Sequence, residues 1–374
     1  MPWAGDNALA VLTNAYAFAD PQPTRDTLTA LGRPRDGYIN GIADYSLWWL
    51  ISHDLFQVYF EDRRYLGELA PHIVNVLDGL IECASPSDGL LRTSDHPEQF
   101  AHAGPGGIFL DWGLDVEAGR VLTATQILWF WALRGAGRVL TIAGHPAATR
   151  AKELADKLSS TLREQAWDSR HERWSMYLGG DEISAYPNFL APIAQLQPPE
   201  GAATNGMQQA ILSNSAGTPF MRTFGLLVLA RLGGRAEALS HLRRMWGGMQ
   251  NEGSATFWEE FSSDDASPWE MYGRPFGKSL THAWSAGPAA ALPTIILGLE
   301  PVADGWREVS LSPDLGDLDW AGAVVPTPRG DIEVLVDRER VVVNLPADTT
   351  LLYGENRYSG SVVIPVDSVD ASVK

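Results

Sequence analysis

Residues 124–133 read ATQILWFWAL. Ten residues at a helical length with no charged side chain leave no face for water. A helix that is apolar nearly all round is enclosed by other elements on most sides. Upstream and downstream lie helices of the ordinary one-sided kind. In 66–83, Leu66, Leu69, Ile73, Val76 and Leu80 share a face, with Pro71 placed to start or kink the segment; in 147–166, Ala151, Leu154, Ala155, Leu158 and Leu162 do so. Alternation of enclosed and one-sided helices, joined by long polar loops, predicts a toroid of helix pairs with an inner and an outer ring. Helices are expected over 5–18, 44–61, 66–83, 116–143, 147–166, 186–196, 217–232, 235–248 and 277–298. No sequence repeat marks the pairs.

The pattern changes near Pro301. REVSLSP (307–313), DIEVLVD (331–337), RVVVNLP (340–346), TTLLYG (349–354) and SVVIP (361–365) are short, β-branched and punctuated by Gly and Pro. DIEVLVDRERVVVNL predicts a hairpin turning at Asp337–Arg340. The expected organisation is a helical domain over 1–299 and a small antiparallel β-domain over 300–374 acting as a structural cap.

With 374 residues, 45% of them hydrophobic, the chain can bury a large core. Its formal net charge of −18 argues against nucleic acid, which calls for a basic footprint, and against anionic membranes. No uninterrupted apolar run reaches the length of a membrane span. The single cysteine, Cys83, excludes an internal disulfide framework and reads as a small core residue. No basic region followed by an apolar stretch opens the sequence, which makes the cytoplasm the default compartment. Oligomeric state is left open.

No cofactor is implied. P-loop, HExxH, paired CxxC and GxSxG patterns are missing, GPGGIF (104–109) reads as a loop, and His96 and His102 lack partners at metal-ligand spacing. What remains is carboxylates beside aromatics. Fourteen tryptophans are present; Trp48, Trp49, Trp129 and Trp131 lie in helices and belong to the core. Trp3, Trp112, Trp258, Trp269 and Trp284 instead adjoin Asp, Glu, His or Gly in loops or helix ends. An indole beside a carboxylate suits a sugar, whose C–H face stacks on the ring while the acid takes its hydroxyls. Four clusters have this character: WAGD (3–6), ADYSLWW (43–49), FLDWG (109–113) and TFWEEF (256–261); SLTHAWSAGP (279–288) adds His282. In a toroid the loops of one rim converge on a central pit, where two carboxyl groups could flank a glycosidic bond. Asp44 also reads as a helix N-cap, and Asp264, Asp265 and Glu270 as loop solvation.

The order WAGD, FLDWG, TFWEEF, SLTHAWSAGP and GWREVSLSPDLGDLDWAGAVVPTPRG resembles glycoside hydrolase family 78, the α-L-rhamnosidases, over nearly the whole chain. The resemblance implies an (α/α)6 six-hairpin toroid followed by a C-terminal β-sandwich, and inverting hydrolysis of terminal α-L-rhamnosyl residues on a small-molecule or oligosaccharide glycoside. It implies Glu259 as the general base and Asp6 as an acid of the catalytic pit. Trp112 becomes an aromatic wall with Asp111 beside it, and His282 a contact to a sugar hydroxyl. Trp3, Asp44, Trp258, Glu260 and Trp284 fall among pocket residues, and Trp269 is an aglycone platform. In the family the general acid is a glutamate a few residues upstream of the WxGD motif, preceded by further β-sandwich modules, and twelve helices complete the ring. The sequence starts two residues before Trp3 and nine helices are legible. The expectation is therefore a hydrolase favouring activated aryl rhamnosides, unless Asp6 or Asp111 supplies the proton. The alternative is a non-hydrolytic homologue that binds a glycoside or another small molecule in the pit. A lyase on uronic-acid sugars ranks below both, because uronates call for a basic clamp.

Overall fold

The structure, a computed structural model, describes residues 3–32, 41–213, 217–261 and 278–366. Eleven α-helices run along the described residues in the order α1 (Ala4–Ala17), α2 (Pro21–Leu31), α3 (Ala43–Phe60), α4 (Arg63–Glu82), α5 (Thr123–Ile142), α6 (Ala147–Gln165), α7 (Ala185–Ile193), α8 (Asn205–Ser213), α9 (Pro219–Arg231), α10 (Arg235–Asn251) and α11 (Pro288–Leu292). The odd-numbered helices form an inner ring in which α1, α3, α5, α7, α9 and α11 pack in turn and α11 closes on α1. The even-numbered ones lie outside them: α2 on α1 and α3, α4 on α3 and α5, α6 on α5, α8 on α7 and α9, and α10 on α9. This is the toroid of helix pairs, with six inner and five outer members among the described residues.

Position in the ring accounts for sequence character. The inner helix α5 is buried from Thr123 through Leu133 without a break, and Trp129, Trp131 and Phe130 meet neighbours on every side. The outer helices α4 and α6 bury one stripe each, Leu66–Leu69–Ile73–Val76–Leu80 and Ala151–Ala155–Leu158–Leu162. Helices α2 and α8 were not legible in the sequence. PQPTRDTLTAL is too polar to show a period; it starts because the Asp20 carboxylate accepts from Gln22 N and Pro21 stands at the first helical position. Helix α8 is only nine residues long. The single helix expected over 277–298 is a correction: 279–282 is extended loop, Ala283–Ser285 a single tight turn, and α11 starts only at Pro288 before passing into a π turn, Pro293–Leu297. Two prolines lacking the backbone N–H of a continuous helix divide the segment. The helix expected from 116 likewise starts at Thr123.

A short hairpin, β1 (Trp167–Asp168) with β2 (Arg173–Trp174), interrupts the helices. After α11 come β3 (Glu300–Pro301), β4 (Glu308–Ser310), β5 (Trp320–Val325), β6 (Ile332–Asp337), β7 (Arg340–Asn344), β8 (Thr350–Tyr353), β9 (Asn356–Tyr358) and β10 (Ser361–Pro365). They form two four-stranded sheets, β10–β7–β6–β5 and β3–β4–β8–β9. The hairpin at Asp337–Arg340 is present as β6–β7. One pair departs from the antiparallel expectation: β4 and β8 run parallel, because β5, β6 and β7 of the other sheet form the crossover between them.

The sandwich meets the toroid at several points, among them Arg231–Glu300 and Arg243–Asp317, with its largest buried side chain at another. Trp306, wholly buried, presents its ring edge-on to Tyr16 of α1 at 5.3 Å and packs against Tyr59 of α3 at 5.9 Å. Around it Arg138 of α5 bridges Asp54 of α3 and Asp304, while Arg329 reaches Glu61 at 3.0 Å. Removing the indole leaves a cavity at a junction of three elements. Trp306→Ala is expected to lower stability by about 3–5 kcal/mol, read as a lowered midpoint in denaturant unfolding monitored over both domains.

Candidate active site

The ring places inner-helix N-termini around one rim. Trp3 is the residue before α1, Asp6 stands in its first turn, Asp44 and Tyr45 in the first turn of α3, Tyr186 in that of α7, and Thr218 immediately before α9. Helix N-termini carry unpaired N–H groups and a partial positive charge, which favours carboxylates there. Two further segments enter the same rim between helices: 109–113, and the paired strands of loop at 256–259 and 279–282.

Glu259 is held at every polar atom. Its backbone N–H donates to Ser279 O at 2.8 Å, and its backbone carbonyl accepts from Trp284 Nε1 at 2.8 Å. Its Oε1 accepts from Trp112 Nε1 at 2.9 Å and its Oε2 from Ser279 N at 2.8 Å. His282 N donates to Phe257 O at 2.9 Å, continuing the pairing that fixes both segments. The imidazole of His282 then spans two carboxylates, with Nε2 2.7 Å from Asp6 Oδ1 and Nδ1 3.5 Å from Glu259 Oε2. Asp6, His282 and Glu259, from opposite ends of the helical domain, thus form one chain. The side chains of all three are partly accessible, at 19%, 20% and 13%.

Asp44 and Asp111 are placed differently. Asp44 is wholly buried and its oxygens accept from Phe109 N at 2.8 Å and Leu110 N at 3.1 Å. Leu110 has a left-handed backbone, φ 57°, which those two bonds hold in place. Burial pushes the Asp44 carboxyl up to about 6, against the pull of the two backbone donors. Asp111, 2% exposed, accepts from the Tyr186 hydroxyl at 2.6 Å, Gly113 N at 2.6 Å and Thr218 N at 3.2 Å; burial raises its pKa, and the Tyr186 bond opposes the rise. Gly113 and Gly217 meet backbone to backbone here, since a Cβ on Gly113 would lie 2.6 Å from Gly217 Cα. Both aspartates therefore carry the wall loop 109–113 rather than face the pit. The N-cap role weighed for Asp44 is not its role either: Ile42 precedes α3, and the carboxylate bonds across to another loop.

The aromatics divide in the same way. Trp3 and Trp112 stand 45% and 54% exposed at the rim. Trp258 and Trp284 are buried; Trp284 lies parallel to Phe220 at 5.6 Å and packs at 4.6 Å from the His282 ring, so it backs the site instead of lining it. Glu260 is 39% exposed at the mouth. Trp269 lies outside the described residues. Tyr45, Tyr186, Ser279 and Lys278 were not singled out in the sequence, although Tyr45 lies inside the ADYSLWW cluster. The Tyr45 ring sits edge-on between Trp3 and Phe109, 5.9 Å from each. Lys278 has no aromatic neighbour in sequence and gave no signal.

Beside His282 a cavity of about 590 Å³ opens, lined by Trp246, Met249, Phe257, Thr256, Thr281 and Ala283. Among the described residues no cluster of His, Cys, Asp and Glu has the makings of a metal site, and no helix is long and apolar enough to cross a membrane.

Residues 298–353 match the family described as the bacterial alpha-L-rhamnosidase C-terminal domain. Among solved structures, the family 78 rhamnosidase of Bacillus sp. GL1 superposes with a TM-score of 0.75 at 23% identity, covering 94% of this chain and 39% of that one. The Streptomyces avermitilis alpha-L-rhamnosidase complexed with L-rhamnose gives 0.73 at 18% identity, covering 97% and 37%. The Klebsiella oxytoca rhamnosidase with rhamnose bound gives 0.62 at 22%, covering 77% and 57%. The chain thus spans between about two-fifths and three-fifths of these proteins. No curated protein sequence matches it significantly. The chain has the toroid-plus-sandwich fold of the family 78 rhamnosidases, and part of its sandwich matches the model of a bacterial alpha-L-rhamnosidase C-terminal domain.

The burial of Asp44 sets a pH dependence. A carboxyl with a folded pKa near 6, against about 3.9 when unfolded, binds its proton more tightly in the folded state. Its stabilising contribution is complete below pH 4 and lost as pH rises through 6, by roughly 3 kcal/mol. Denaturation of wild type and Asp44→Asn at pH 4 to 7 isolates the effect. The stability of wild type relative to the variant is expected to fall across that window; a difference flat with pH would contradict the assignment.

Proposed function

We propose that this chain carries the catalytic pit of a glycoside hydrolase that releases terminal α-L-rhamnosyl residues with inversion of configuration. The observation that carries the reading is the Asp6–His282–Glu259 chain, in which two carboxyl groups face the pit from either side of one imidazole. Inverting hydrolysis needs two carboxyl groups at one site, one to protonate the leaving oxygen and one to activate water. The bacterial α-L-rhamnosidase C-terminal domain and the rhamnose bound in two of the similar structures favour rhamnose as the sugar.

In this mechanism Glu259 removes a proton from water, and the resulting oxygen attacks the anomeric carbon on the face opposite the leaving oxygen. Two bonds from Trp112 and Ser279 fix the carboxylate, each oxygen keeping a second lone pair for the water. Asp6, the second carboxyl group beside His282, is the proposed donor of a proton to the leaving oxygen. Activated aryl leaving groups need that proton less and turn over faster than alkyl ones; assistance by a general acid is worth roughly two to four orders of magnitude. His282 and Asp6 meet sugar hydroxyls, Trp3 and Trp112 supply apolar walls for the C–H face, and Glu260 contacts a hydroxyl at the mouth.

A second reading is a protein that binds a glycoside without cleaving it. The hydrogen bonds already made by both Glu259 oxygens favour it, since a carboxylate anchored at both oxygens is also what a structural role produces.

Glu259→Gln is expected to slow hydrolysis of an aryl α-L-rhamnoside by about 10²–10⁴-fold while L-rhamnose binding, followed by calorimetric titration, persists. Asp6→Asn is expected to damage turnover of an alkyl rhamnoside more than that of the aryl one. Equal loss on both substrates would make Asp6 a sugar-binding group only. Wild-type binding of rhamnose with no turnover of either substrate would establish the second reading.

A further inference from the structure

Lys278 is a cation set inside the acidic pit. Its Nζ stands 3.5 Å from the centroid of the Trp112 ring, 3.7 Å from Glu260 Oε2 and 4.0 Å from Glu259 Oε1, and its side chain is only 15% exposed. Trp112 needs such a partner. More than half its surface faces solvent, yet its Nε1–H must stay on Glu259 Oε1. Phe109 steadies the ring only through an edge-to-face contact, at 4.7 Å and 81°. An ammonium over the indole face is attracted by the ring quadrupole, more strongly where water is excluded. The same ammonium lies between Glu259 and Glu260, whose like charges on adjacent residues repel.

We infer that Lys278 is a positioning residue for Glu259: its ammonium pins the Trp112 indole and offsets the charge of Glu260, and through both it fixes the direction of the Glu259 carboxylate. The contacts close a loop, from Lys278 to the indole face, from the indole N–H to Glu259, and from Glu259 back to Lys278. Rhamnose would also be gripped by Asp6, His282 and Trp3, none of which Lys278 touches through an ion pair. Loss of Lys278 therefore acts more strongly on turnover than on sugar binding. The inference rests on Glu259 as the general base.

Lys278→Met keeps the aliphatic stem and removes the charge, whereas Lys278→Arg keeps a charge that also stacks on indole. The expected result is a 10- to 100-fold fall in kcat on an aryl α-L-rhamnoside for Lys278→Met, with a smaller proportional change in rhamnose Kd, and recovery of most of that loss in Lys278→Arg. The losses of Lys278→Met and Trp112→Phe are expected not to multiply in the double variant, because both act on one oxygen of Glu259. A kcat for Lys278→Met within twofold of wild type, or losses that multiply, would overturn the inference. Turnover being absent in wild type would sink the proposed function instead, and the clamp would then be read from fluorescence. Lys278→Met should shift the tryptophan emission of the wild-type chain and leave that of Trp112→Phe unmoved; equal shifts in both backgrounds, or none in either, overturn it.

Discussion

The site depends on the fixing of Glu259 by groups that no local segment could provide. Ser279 holds its backbone nitrogen and one carboxylate oxygen, Trp112 the other oxygen, and Trp284 its carbonyl. Ser279 and Trp284 are twenty and twenty-five residues downstream of it, and Trp112 is 147 residues upstream. A carboxylate on a loop samples many directions, at a cost in side-chain entropy whenever one is imposed. Only a closed ring, in which the residues before α11 come back beside those before α5 and α1, brings these donors to one point.

Rigidity reaches the rim from the core through stacked rings. Trp284 lies parallel to Phe220, Phe220 packs on Trp48 at 5.4 Å, and Trp48 stacks on Phe224 and meets Trp131 edge-on at 5.8 Å. Those residues belong to the inner helices α3, α5 and α9, so a loop residue that holds the Glu259 carbonyl is seated directly on the buried ring. The wall loop 109–113 is seated by a second device, the buried carboxylates Asp44 and Asp111, whose acceptor capacity is spent on its backbone and on the start of α9. The sandwich adds little to the pit itself. It braces α1, α3 and α5 through Trp306, Arg138 and Arg329, and α9 and α10 through Arg231 and Arg243.

Much of this was legible residue by residue. The all-apolar run at 124–133 announced an enclosed helix, the change of period near Pro301 announced the sandwich, and WAGD, FLDWG, TFWEEF and SLTHAWSAGP do converge on one rim. What misled was chemical identity read without geometry. An aspartate next to a tryptophan in FLDWG carries the same letters whether it faces the pit or accepts from Tyr186 in the interior, and only burial separates the two. Lys278 carried no pattern at all, because a cation over an indole 166 residues away in sequence leaves no local mark. Helices α2 and α8 escaped for a related reason: they form from capping and from neighbours rather than from periodicity.

The sequence by itself determined which segments are enclosed, which are one-sided and which are strands, because transfer of side chains from water depends on composition and period alone. It also determined which short stretches hold acids and aromatics together. Tertiary structure decided which of those acids face the pit and which support its wall. That choice depends on the direction of each Cα–Cβ bond at the end of an inner helix and on which distant donors lie within 3 Å, and neither quantity exists until the ring has closed.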